Sequence, residues 1–113
     1  MKYILLTLTI FGFIQTSHAA DCYDSVLAEY EALLEEGSYA LDGFSTVSRR
    51  EAATKINEST EVENKQTALH VVNSSENALF LGYSSQYGGS AEEILVVNKL
   101  SCKIIDRIYT YVE

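Results

Sequence analysis

Cys22 and Cys102 are the only cysteines in this chain, and they stand near the two ends of its non-leader sequence. Two thiols allow one intramolecular pairing. In a short exported chain an even cysteine count predicts that pairing. The bridge would close a loop of about 80 residues, which the chain-entropy account values at roughly 4 to 4.5 kcal/mol. Any fold must then lay the start of the domain against its end. An intermolecular bridge and a free redox thiol are the alternatives, and the lack of a CxxC disfavours a thioredoxin-type role.

The bridge presupposes export, and residues 1–19 read as a secretory signal peptide. Lys2 is a minimal basic region, and the run from Tyr3 to Ile14 is apolar apart from Thr7, Thr9 and Gly12. Ser17 and Ala19 are small residues at −3 and −1, which places the cut before Ala20. The apolar run is about 12 residues, short of the roughly 20 that a spanning helix needs. Asp21 precedes Cys22 where a lipoprotein peptidase needs a small residue, so Cys22 is expected to be unlipidated. The expectation is a single small domain, residues 20–113, in the periplasm or extracellular space, with no membrane insertion after cleavage.

Loss of Lys2 leaves seven basic side chains against 16 acidic ones, a balance of −9. Such a chain is repelled by phosphate backbones and anionic headgroups, which argues against nucleic acid as a partner.

Residues 21–36 predict an amphipathic helix. Tyr23, Val26, Leu27, Tyr30, Leu33 and Leu34 recur at helical spacing, with Asp21 as N-cap and Gly37 as C′ residue. Residues 38–48 give mixed signals. Ser48 and Glu51 form a capping box, with Val47 placed to staple onto Ala52, and predict a short second helix to about Asn57. Residues 57–66 read as a polar loop. Residues 67–73, 78–84, 93–98 and 103–112 are rich in β-branched and aromatic residues and are separated by turn clusters. They predict four strands in an antiparallel meander, hence an α+β domain with the helix laid across one sheet face. In the last strand, alternation puts Ile104, Ile108 and Val112 on the core side. It puts Tyr109 and Tyr111 on the other face beside Lys103 and Arg107.

This layout resembles that of cystatins, but their QxVxG and Pro-Trp hairpins have no counterpart. Gln66 begins QTALH, and the chain has neither proline nor tryptophan. Catalytic sets are equally missing. His70, the one histidine left after cleavage, is expected within a strand, and no serine sits in a GxSxG elbow. No zinc or calcium motif is present, and Gly88-Gly89 lies between two expected strands rather than before a helix. No catalytic residue, metal or cofactor is therefore expected. Asn57 and Asn73 open N-x-S sequons, which matter only in a glycosylating host.

These readings favour a small acidic binding protein of inhibitor, immunity or accessory type, acting through a protein–protein surface on a partner the sequence does not identify. A structural component of the cell envelope is the alternative, and a small enzyme with an unrecognised site is a third. The candidate binding face is Tyr83, Tyr87, Arg107, Tyr109 and Tyr111, because Tyr and Arg dominate interface hot spots.

Overall fold

A computed structural model describes residues 18–113; the expected leader up to Ser17 lies outside the described residues. The order of elements is α1 (His18–Glu36), β1 (Ala40–Thr46), α2 (Arg49–Glu58), α3 (Lys65–Val72), β2 (Asn77–Gln86), β3 (Gly89–Asn98) and β4 (Ile104–Val112). The strands form one antiparallel sheet in the order β1-β2-β3-β4. Cys22 and Cys102 form the expected disulfide, with their Cα atoms 5.1 Å apart. The fold is α+β.

Of the stripe that its spacing predicted, α1 buries Val26, Tyr30 and Leu34, while Tyr23, Leu27 and Leu33 are partly exposed. Cys22, Val26, Tyr30 and Leu34 pack on Ala78, Phe80, Leu95 and Val97 of the sheet. Its N-terminal boundary lies three residues before Asp21, which therefore sits inside the helix instead of capping it. At the other end Tyr39 N–H donates to the Leu34 carbonyl and Ser38 N–H to that of Glu35, and Ser38 takes the left-handed conformation. That is a Schellman closure, displaced by one residue from the expected C′ at Gly37. Gly37 instead lies close to the half-exposed Tyr39 ring, which a larger residue would displace. A Cβ there would stand 2.7 Å from the Tyr39 ring.

The segment expected as the first strand, residues 67–73, is helical. Asn64 caps α3 by accepting from the Thr67 N–H, and Ala68 and Val72 bury one side at a spacing of four. The sheet still has four strands, because residues 40–46, where the signals conflicted, supply β1. Only Phe44 of that strand joins the core contacts; hydrogen bonding to β2 makes the rest a strand. Ser48 accepts from Glu51 N–H as the capping box predicted. Arg49 then donates to the carbonyls of Val72, Ser74 and Asn77, which fixes α2 against the end of α3 and the start of β2.

Both sheet faces are core, which corrects the expectation of one covered face. α2 and α3 lay Ala52, Ile56, Ala68 and Val72 on Leu79, Leu81, Ile94, Val96 and Ile108. Ile104 packs on the α1 side and Ile108 on the α2–α3 side, so the two isoleucines do not share a face. The cause is a bulge. Val96 pairs with Asp106 and Val97 with Ile104, leaving Ile105 as the extra residue that reverses the alternation. Val112, expected in the core, is exposed.

Candidate binding surface

The end of the sheet that carries the β2–β3 turn is left open on both faces. On one face α1 crosses obliquely. It starts at the Cys102 bridge, beside the β3–β4 turn, and ends where the Gly37 carbonyl accepts from Gln86 Nε2. The corner it leaves bare is a groove of ≈ 320 Å³ lined by Tyr39, Ser84, Ala91, Tyr109, Val112 and Glu113 among others. On the opposite face α2 leads to Ser59, whose hydroxyl donates to the Thr110 carbonyl. A second groove of ≈ 360 Å³ remains there between Asp42, Tyr83, Glu92 and Tyr111.

Each groove has a carboxylate pinned beside it, because β3 alternates. Glu93 turns toward α1 and is fully buried. Its Oε1 accepts from Arg107 Nε at 2.7 Å, and its Oε2 from Arg107 Nη2 at 3.1 Å and from Tyr30 Oη at 3.0 Å. Gly82 makes this reach possible. A Cβ at that position would stand 2.5 Å from the Tyr30 ring. Burial, with the Glu93 charge added, pushes the Tyr30 hydroxyl well above the ordinary phenol range, so it remains a proton donor at neutral pH. The hydrogen bond to Glu93 likewise raises Arg107. Arg107 lies 5.9 Å from the Tyr30 ring centroid and 5.7 Å from that of Tyr109. A guanidinium between two aromatic rings gains cation–π attraction in addition to its bidentate pair.

Glu92 turns the other way. It accepts from Thr110 Oγ1 at 2.6 Å and from Lys55 Nζ at 3.0 Å. Partial burial raises its carboxyl, but hydrogen bonds from Thr110, Lys55 and Tyr83 outweigh that and hold it below the usual range. The same bond raises Lys55. The sign of the linkage follows. A depressed carboxylate stabilises the fold above its unfolded pKa, near 4.3, and that contribution is lost as pH falls through the lower folded value. Lys55, being raised, keeps its contribution until pH rises past its ordinary amine range. Glu92→Gln should therefore be less stable than the parent protein at neutral pH and should lose that deficit below about pH 4. Denaturant melts across the acid range read this. A deficit unchanged at low pH would mean that the ion pair contributes nothing.

The five residues expected to form one binding face are divided. Arg107 and Tyr109 lie on the α1 side, Tyr109 opposite Glu93. Tyr111 lies opposite Glu92 and joins Tyr83 on the other side. A second bulge, at Thr110, causes the split. Tyr87 sits in the β2–β3 turn. All four tyrosines nevertheless cluster at this end of the sheet and are exposed. Sequence reasoning missed Glu92, Glu93 and Tyr39. Two adjacent acids at the head of an otherwise apolar strand, opposite a strand carrying Arg107, are the signal that could have found the first two. His70, expected in a strand, is exposed on α3. Among the described residues no three His, Cys, Asp or Glu side chains are grouped to hold a metal ion. None of the described helices is long and apolar enough to cross a membrane. Comparison with protein-family models, curated proteins and solved structures gives no match.

Proposed function

We propose that this is an exported binding protein that acts through a protein–protein surface at the β2–β3 end of its sheet. The observation that carries this reading is Tyr87. Its side chain is 94% exposed, and its φ is 51° beside Gly88 at 84°. Positive φ at both central residues defines the hairpin turn that favours Asn-Gly. A tyrosine there contributes no packing and holds its backbone in a region that costs roughly 1 kcal/mol or more for a residue with a Cβ. The fold has no use for it, whereas an interface does. Tyr39, Tyr83, Tyr109 and Tyr111 lie at the same end of the sheet with their rings part-exposed, while Tyr109 Oη accepts from Arg107 Nη2 and Tyr111 Oη donates to Glu113.

The bonded state of the polar groups supports binding over catalysis. Glu92 and Glu93 are each taken up by a basic side chain and a hydroxyl, and Tyr30 is held protonated, so none of these three groups is free to act as a base or nucleophile. The disulfide is in keeping with export.

Tyr87→Asn should raise stability by about 0.5 to 1 kcal/mol while weakening partner capture. Thermal melts read the first effect. Affinity capture from the exported fraction, with parent and variant as bait, reads the second. Loss of stability, or capture unchanged by Tyr87→Asn together with Tyr111→Ala, would defeat the reading. Fractionation of the protein with membrane or cell wall would favour an envelope component instead.

A further inference from the structure

Acidic side chains stand at both ends of the sheet, but the basic ones free of an ion pair lie away from the β2–β3 end. At the β2–β3 end stand Glu35 and Glu36, in the last turn of α1, with Asp42 in β1 and Glu113 after β4. The two basic side chains that reach this end, Lys55 and Arg107, are bonded to Glu92 and Glu93. Arg49 and Arg50 lie at the other end beside Asn77, and Lys99 and Lys103 flank the turn after β3. Lys65 donates to the Asn57 carbonyl within an acidic stretch of sequence. The carbonyl end of α1 adds its negative partial charge to the tyrosine end.

We infer that this surface docks a basic protein, whose Arg or Lys side chains lie against Tyr39 and Tyr109 while its positive charge meets Glu35, Glu36, Asp42 and Glu113. The inference rests on the binding reading above and adds the chemistry of the partner. The chain's own Arg107, seated against the rings of Tyr30 and Tyr109, shows the same recognition made internally. Other occupants fit poorly. A second copy docked through the same face would bring like charge to like charge, and a nucleic acid or anionic bilayer would be repelled.

Titration of isotope-labelled, disulfide-intact protein with a short Arg–Gly repeat peptide tests this by NMR, with a Glu–Gly peptide as control. Saturable shifts are expected at Tyr39, Tyr109 and Glu113, with weakening at raised salt and no response to the control. Asp42→Asn with Glu113→Gln should weaken binding about threefold or more. Tyr109→Ala should weaken it about tenfold, its spectrum reporting whether the fold is kept. No binding, or shifts centred on residues 58–63 or on Asp24 and Glu31 of α1, would overturn the inference. Affinity capture separates it from the broader reading. A partner held equally by parent protein and by Asp42→Asn/Glu113→Gln overturns the basic-partner inference alone, whereas a bait that retains no partner removes both.

Discussion

Arg107→Ala is expected to cost the fold about 3 to 5 kcal/mol, more than replacing Arg107 and Glu93 together with Met and Leu. The reason is what remains after the deletion. The Glu93 side chain is 1% exposed, and two of its three hydrogen bonds come from the guanidinium. Without Arg107 a buried charge keeps only the Tyr30 hydroxyl as partner. The double replacement removes both charges and fills the space with apolar atoms, so it avoids the desolvation cost. Tyr30 would then lose its acceptor, which sets a residual penalty of about 1 to 3 kcal/mol. Urea melts of the three proteins decide it. A single variant as stable as the double would show that water reaches Glu93 and that the pair lies effectively at the surface.

That pair also marks where sequence reading stops. The α1 stripe was legible because Val26, Tyr30 and Leu34 repeat at helical spacing and each finds a sheet residue to cover. Strands at residues 78–84, 93–98 and 103–112 were legible from their β-branched runs. The α3 segment was not. Thr67, Val71 and Val72 favour a strand locally, but Asn64 caps the first turn, and burial of Ala68 and Val72 against the sheet overrides propensity. β1 failed for the opposite reason. Ala40, Leu41, Asp42 and Ser45 are exposed, so no alternation is written into it, and pairing with β2 alone makes it a strand.

The candidate face was half legible. Composition picked out the tyrosines, and their end of the sheet is where the structure exposes them. Their division between two faces was hidden, because bulges at Ile105 and Thr110 shift the two-residue period and no local residue announces them. A one-residue change of register moves every later side chain to the other face. The partners of Glu92 and Glu93 were hidden for the same reason, since cross-strand neighbours depend on register.

Loss of the Cys22–Cys102 bridge should lower the melting temperature by roughly 15 to 30 °C, from a loop-closure contribution near 4 kcal/mol. The Cys22→Ser/Cys102→Ser protein measures it without a stray thiol. The effect should also be uneven. α1 is joined to the sheet at its C-terminal end by residues 37–39, which lead into β1, while the bridge holds its N-terminal end against the turn after β3. Cys22 is fully buried with Val26 against Ala78 and Val97, so serine hydroxyls there would weaken the same contacts. In the variant, amides near Val26 should exchange faster than those near Leu34, and both faster than those of β2 and β3. Equal loss of protection along α1 would mean that packing, not the bridge, anchors its first turns. A melting temperature within a few degrees of the parent would mean that the reduced unfolded chain is already compact, so that closing the loop removes little entropy.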